Sequence, residues 1–349
     1  MKIAFVIANL NGGGSERAVS NLSLVMKDEH DVSIILFDAE KRVYPNGGRI
    51  IDLKLPHSAS VLGKIINILK RRSALKKLFK EHQFDAVFTF MESAGFPSAM
   101  ATKETIVSVH ENPDKMSKMY KVFYPYLYPK TKKVVACSKA MEERLIDLYD
   151  LRNSTTIYNS VDIDLAIEKS KESINEPRPY ILSVGRLVNV KGFDLLIEAY
   201  AKSKAKENFD LLICGEGEIR HELQSLINKL GLTDKVILKG NVDNPFAYYA
   251  NAEYYVLSSR NEGFPNILIE ALACSCPCIS FDCKTGPNEI IKNGENGLLV
   301  EAENVKSLTQ AIDTLYEDKD LRERFKKNAR LSVSHLTPEA IAKEWLKLV

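Results

Sequence analysis

The sequence predicts an α/β fold made of two doubly wound domains. Three observations carry that prediction. Short β-branched runs alternate with amphipathic helical stretches, the rhythm of βαβ units on a parallel sheet. The plan occurs twice, on either side of a polar stretch at 159–179 that carries Ser170, Ser173, Asn175, Pro177 and Pro179. The length of 349 residues suits two domains better than one. At 45% apolar and 27% charged residues, the chain is neither disordered, collagen-like nor a disulfide-stapled miniprotein. No apolar run approaches the roughly 18 residues that a membrane-spanning helix needs.

In the first half, strands are expected at 2–8, 31–37, 86–90, 105–109 and 133–136, with helical patterns such as 15–27 and 141–149 between them. The apolar start runs into Asn11-Gly12-Gly13-Gly14 after only a few residues. It reads as a buried first strand rather than a secretory leader. In the second half, strands are expected at 180–184, 210–214, 236–239, 254–257, 277–281 and 297–300, and helices at 192–203, 219–230 and 265–274. A ligand is expected between such domains, at the carboxyl ends of the strands.

The net charge of +2 is unevenly spread. Residues 1–170 hold 25 Lys+Arg against 20 Asp+Glu, and residues 171–349 hold 23 against 26. A local basic excess meets phosphates, nucleic acid or an anionic membrane. Cys274, Cys276, Cys278 and Cys283 are crowded. Their spacing lacks a C-x-x-C pair and a nearby His, so they read as reduced, packed thiols rather than a zinc site.

Three loops carry chemistry. The first strand leads into Gly12-Gly13-Gly14-Ser15-Glu16-Arg17 and a helix. Glycines admit close backbone approach, and a helix N-terminus favours an anion. Arg17 stands where a dinucleotide fingerprint needs its third glycine, so that fingerprint fails. Asp38 sits about where a ribose-binding acid would, which keeps an NAD-dependent oxidoreductase in view. Next, Gly185-Arg186 and Lys191-Gly192 follow a strand. Two cations beside a helix start can hold a diphosphate, or can simply be surface cations. The third loop, Arg260-Asn261-Glu262-Gly263-Phe264-Pro265-Asn266-Ile267-Leu268-Ile269-Glu270, sets one glutamate in a strand-to-helix loop and another in the helix. Carboxylates accept paired hydroxyl hydrogen bonds, which suits sugar and ribose diols. Backbone N–H groups after Gly263 can meet a phosphate or sugar oxygen.

Together these residues resemble a retaining glycosyltransferase of family 4, with the GT-B fold. The resemblance spans nearly the whole chain. It also draws on Gly215-Glu216-Gly217, Gly286-Pro287-x-Glu289-Ile290-Ile291 and Asn296-Gly297-Leu298-Leu299-Val300. It implies two Rossmann-like domains facing a central cleft. An acceptor-binding domain would cover 1–165 and a nucleotide-sugar-binding domain 166–335, with 336–349 crossing back onto the first. Arg186 and Lys191 would bind the donor diphosphate and steady the leaving group. Glu270 would hold the ribose hydroxyls. Glu262 would contact the transferred sugar, with Gly263, Phe264 and Asn266, and Ile267 and Leu268 would offer backbone N–H groups to phosphate. Glu216 and Val242 would seat the base. His110 would stand near the reacting side of the sugar, and Gly13, Gly14 and Glu16 would face the acceptor. No metal is expected, because cations and helix N-termini can stabilise the leaving group. Asp162-x-Asp164 lies in an interdomain N-x-V-D stretch and reads as structural.

Residues 63–82 carry seven Lys/Arg, including Lys70, Arg71, Arg72, Lys76 and Lys77, with an apolar side beginning at Ile65 and Ile66. Residues 115–133 interleave six Lys with Tyr120, Phe123, Tyr124, Tyr126 and Tyr128. Such stretches can be ordinary solvated helices, can bind nucleic acid, or can lie on an anionic membrane. With the resemblance, the expected partners are a nucleotide-sugar donor, a polyprenyl-diphosphate-linked or other glycan acceptor, and an anionic membrane surface, with no nucleic acid. The expected reaction moves a hexose or N-acetylhexosamine from a UDP-sugar, best UDP-GalNAc or UDP-Gal, at the cytoplasmic face of the plasma membrane. A GDP-mannose-dependent mannosyltransferase is the nearest alternative. An NAD-dependent oxidoreductase and a non-catalytic two-domain binding protein are the alternatives from other classes.

Overall fold

The computed structural model describes every residue except 41–42, 57–60 and 117. The chain divides into two compact units, Met1–Ser160 with Pro338–Val349, and Val161–Thr337.

In the first unit the order is β1 (Lys2–Ile7), α1 (Gly14–Met26), β2 (Asp31–Leu36), β3 (Arg49–Asp52), α2 (Val61–His82), β4 (Ala86–Phe90), α3 (Glu92–Ala101), β5 (Thr105–Val109), α4 (Lys118–Leu127), β6 (Lys133–Ala136), α5 (Lys139–Tyr149) and β7 (Ser154–Thr156). All seven strands run parallel in the order β3-β2-β1-β4-β5-β6-β7. Ile3 pairs with Val32 on one side and Ala86 on the other, so β1 is central. Helices on both faces explain why β1, β2, β4 and β5 are apolar runs rather than alternating ones. The short strands β3 and β7 are additional to those expected from the sequence. Four and three residues long, they pair at the two margins of the sheet, where little hydrophobic pattern is required.

The second unit contains α6 (Ile163–Lys169), β8 (Tyr180–Val184), α7 (Phe193–Lys202), β9 (Asp210–Cys214), α8 (Arg220–Lys229), β10 (Val236–Gly240), α9 (Pro245–Asn251), β11 (Tyr254–Leu257), α10 (Asn266–Ala273), β12 (Cys278–Asp282), α11 (Pro287–Ile290), β13 (Gly297–Glu301), α12 (Val305–Glu317) and α13 (Lys319–Ser332). Its six parallel strands run β10-β9-β8-β11-β12-β13, so the order reverses between β8 and β11. Asp162, Asn304 and Asp318 cap α6, α12 and α13 by accepting a backbone N–H three residues on. All six cysteines are free and buried, and burial raises the thiols at Cys274 and Cys283 to about 12. The chain then returns to the first unit, where α14 (Pro338–Leu346) packs on α1 and sets Trp345 against Phe88 and Phe90 at ring distances of 5.1 and 5.2 Å.

Candidate functional site

In the second unit the expected donor residues all follow carboxyl ends of strands. Arg186 and Lys191 follow β8, Glu216 follows β9, Val242 follows β10, and Glu262 follows β11. β8 and β11 are neighbours at the reversal of strand order, the place where doubly wound sheets open a crevice.

The loops after β8 and β9 lock together through backbone. Gly185 N–H donates to Cys214 O and Leu187 N–H to Glu216 O, both at 2.9 Å. A Cβ at Gly215, where φ is +137°, would lie 2.0 Å from Gly185 O. Only glycine fits there, which accounts for Gly215 in the motif.

The structure joins two expected residues that lie 71 positions apart. Lys191 Nζ is 2.6 Å from Glu262 Oε1, and Ser259 Oγ donates to the same oxygen at 2.6 Å. Both charged side chains are largely buried, 18% and 11% exposed, so each needs the other. Thr285 Oγ1 donates to Glu262 O, and Cys283 Sγ to Ser259 O at 2.8 Å, which fix the loop from beneath. Arg186 is exposed and meets no carboxylate among the described residues. Its guanidinium is available to an anionic ligand.

Glu270 is 8% exposed on α10, a helix otherwise built from Leu268, Ile269, Ala271, Leu272 and Ala273 on its buried side. Burial holds the phenols of Tyr249 and Tyr255 well above their usual range, and the Glu270 carboxylate adds a smaller push in the same direction. At the start of α10, Leu268 N–H donates to Pro265 O at 3.0 Å. Of the two amides expected to face phosphate, Ile267 N–H is therefore the one that remains without an acceptor among the described residues. Phe264 is buried, while Gly263 and Asn266 are half-buried beside it. Glu216 pairs with Arg220 at 2.8 Å on an exposed rim. Val242 lines a pocket of about 280 Å³ together with Lys239, Asn241 and Tyr248.

In the first unit, His110 follows β5. Its Nε2 is 2.9 Å from Ser108 Oγ and its ring lies 5.6 Å from Phe90. Burial lowers its pKa to about 4, so the imidazole is neutral at pH 7. Gly13 caps α1, Gly14 opens it, and Glu16 lies in its first turn, where its carboxylate accepts from Ser15 Oγ at 3.0 Å.

The basic set on α2 needs a correction. Arg71 is only 6% exposed. Its Nη2 and Nε donate to Leu55 O at 2.9 and 3.3 Å, and its guanidinium covers the Phe37 ring at 4.2 Å. It is a core cation and leaves the surface set. Arg72 is half-buried and donates to Met100 O at 3.1 Å. Lys70, Lys76 and Lys77 stay exposed, beside exposed Ile65, Ile66 and Leu69. On α4, Val122, Phe123 and Tyr126 are exposed whereas Tyr124 is buried, as is Tyr128 just past its end. The side chains of Lys115 and Lys118, and residue 117, lie outside the described residues.

Comparison with known proteins places this geometry. Residues 12–165 match the family Glycosyltransferase Family 4, and residues 164–332 match Glycosyl transferases group 1. A Campylobacter jejuni N-acetylgalactosamine-N,N'-diacetylbacillosaminyl-diphospho-undecaprenol 4-alpha-N-acetylgalactosaminyltransferase is 32% identical, over 99% of this chain and 98% of that enzyme. A second Campylobacter jejuni protein, a GalNAc-alpha-(1->4)-GalNAc-alpha-(1->3)-diNAcBac-PP-undecaprenol alpha-1,4-N-acetyl-D-galactosaminyltransferase, is 29% identical over 100% and 98%. Among solved structures, Thermosynechococcus elongatus sucrose-phosphate synthase superposes with a TM-score of 0.85 at 20% identity, covering 100% of this chain and 98% of that one. Anabaena HepE in complex with UDP gives 0.81 at 20% identity, covering 99% of each. The oxidoreductase and the non-catalytic binding protein are thereby set aside. The chain belongs to the group 1, family 4 glycosyltransferases of the GT-B fold.

Proposed function

We propose that this glycosyltransferase moves N-acetylgalactosamine or galactose from its UDP-sugar to a polyprenyl-diphosphate-linked glycan, with retention of configuration and without metal. The observation that carries the reading is the grouping after β8 and β11: a lysine held 2.6 Å from a glutamate, beside an unpaired arginine. The full-length likeness to enzymes whose names specify GalNAc transfer to undecaprenyl-diphosphate glycans supports the choice of donor and acceptor.

In this reading the bond between the anomeric carbon and the diphosphate oxygen breaks, and its electron pair stays on the diphosphate. Arg186 and Lys191 stabilise that charge, with the Ile267 amide assisting. Glu262 binds hydroxyls of the sugar, and Gly263, Phe264 and Asn266 shape its seat. Glu270 accepts from the ribose hydroxyls, while Glu216 and Val242 flank the base. The acceptor hydroxyl attacks the anomeric carbon from the face being vacated, and its proton passes to the departing diphosphate oxygen. His110, neutral at pH 7, donates or accepts a hydrogen bond near the sugar without adding charge. Gly13, Gly14 and Glu16 face the acceptor. Lys70, Lys76 and Lys77, with the exposed apolar residues of α2 and α4, rest on an anionic membrane surface at its cytoplasmic side.

The test is a thermal-shift panel of UDP, GDP and NAD with and without EDTA, because a ligand of the folded state raises Tm. A UDP shift that survives EDTA is expected. A shift with GDP alone would replace the UDP reading with the mannosyl one. Turnover of UDP-GalNAc on a lipid-linked glycan, with an α-linked product by NMR, then tests acceptor and retention together. A β-linked product would end the retaining mechanism.

A further inference from the structure

Outside the residues assigned above, one side chain joins three segments around the Lys191–Glu262 pair. Arg260 Nη1 and Nη2 donate to Asp194 Oδ1 and Oδ2 at 2.9 and 2.6 Å, a two-pronged contact. Nη1 also donates to Asn189 O at 2.6 Å, and Nε donates to Glu303 Oε2 at 3.1 Å. Glu303 holds a left-handed backbone, φ 60°, which is uncommon for a non-glycine residue.

The backbone is knitted at the same place. Arg260 N–H donates to Val190 O at 2.8 Å, and Ser258 Oγ donates to Lys191 O at 3.0 Å. A Cβ at Gly192, where φ is +63°, would lie 2.0 Å from Ser258 O and 3.6 Å from Arg260 Nη1. The turn at 189–192 is therefore pressed onto the 258–260 backbone with the guanidinium across it. Lys191 stands in that turn, and Glu262 stands two residues beyond Arg260.

We propose that Arg260 is a positioning residue. Its guanidinium fixes the 189–194 turn against the loop after β11, and so sets where the Lys191 ammonium stands relative to Glu262 and the donor diphosphate. The inference rests on the donor reading given above. A planar fork is needed for the role, because it grips a carboxylate with two nitrogens and still reaches a carbonyl and a second carboxylate. Lysine at this position keeps the charge and loses the fork.

The experiment is a double-mutant cycle on UDP binding by calorimetric titration of the full chain. The proteins are the natural one, Arg260→Lys, Lys191→Met and the double variant. Arg260→Lys is expected to weaken UDP about tenfold when Lys191 is present, and less than about twofold when it is Met. Asp194→Asn, which leaves Arg260 in place, is expected to show the same dependence on Lys191. Equal weakening in both backgrounds, or a lowered Tm with unchanged UDP affinity, would mean that the fork only braces the fold, and would overturn the proposal. Lys191→Met that leaves UDP affinity unchanged would remove the donor reading itself, and the proposal with it.

Discussion

Glu92 offers a sharp test of the packing in the first unit. It opens α3 immediately after β4, is 2% exposed, and accepts from Tyr124 Oη at 2.7 Å. Tyr120 and Tyr124 face it from α4, Tyr128 from just past the end of that helix, and Glu111 from beyond β5. Burial raises its pKa from 4.5 to about 7, offset in part by the Tyr124 hydrogen bond. The sign follows from proton counting. Between pH 4.5 and about 7 the folded chain holds a proton that the unfolded chain has released, so stability falls as pH rises, and it levels off above 7. At about 1.4 kcal/mol per pH unit, the loss across this interval is about 3 kcal/mol. Glu92→Gln keeps the oxygen that accepts from Tyr124 and removes the charge. It should match the natural protein near pH 4.5 and exceed it by about 3 kcal/mol at pH 8, or roughly 6–12 °C in the Tm of a unit of this size. Tm measured for both proteins from pH 4.5 to 8.5 reads the difference directly, because the other titrating groups cancel. Parallel curves over that range would refute the reasoning.

The remaining predictions concern the other features derived above. Replacing Lys70, Lys76 and Lys77 by Gln should cut binding to anionic vesicles by roughly 100-fold in a flotation assay, at about 1 kcal/mol per lysine, and should leave Tm almost unchanged. Arg71→Ala should do the opposite, lowering stability by about 2–4 kcal/mol in urea unfolding with vesicle binding by the folded protein intact. Gly215→Ala should cost about 3 kcal/mol or more, since its methyl group has to displace the Gly185 carbonyl; an unchanged Tm would contradict the loop packing. His110, with its pKa pulled down to about 4, stays neutral in the folded chain while the unfolded chain takes up a proton below 6.5. Stability should therefore erode as pH falls from 6.5 toward 4, and His110→Gln should lack that slope in the same Tm series.

Continuous apolar runs mark the central strands, because strands buried on both faces must be apolar throughout, and the succession of such runs with helical stretches marks the two-fold repetition of the plan. The margins of the first sheet were not legible. β3 spends two of its four residues on Arg49 and Asp52, and β7 is Ser-Thr-Thr, so backbone pairing, not side-chain pattern, makes them strands. The candidate site divides in the same way. Which residues matter could be read from local motifs, but which of them touch could not. Lys191 and Glu262 meet only because β8 and β11 are neighbours in the sheet, a long-range fact that neither motif states. Arg260 lies in the same stretch as Glu262, but nothing local to that stretch marks it as more than a surface cation. Its three partners come from residues 189, 194 and 303, which only the folded chain assembles. Arg71 marks the reverse error. It stands between Lys70 and Arg72 in a run of cations, and composition alone assigns all three to solvent. Helix periodicity turns the middle one inward by about 100° from each neighbour. There the Leu55 carbonyl and the Phe37 ring meet a guanidinium that is largely closed to water. Charge runs on a helix are thus read correctly only after each member is assigned to a face. Of the run from Lys70 to Arg72, Lys70 is the exposed member, with Lys76 and Lys77 extending that basic surface about two turns on.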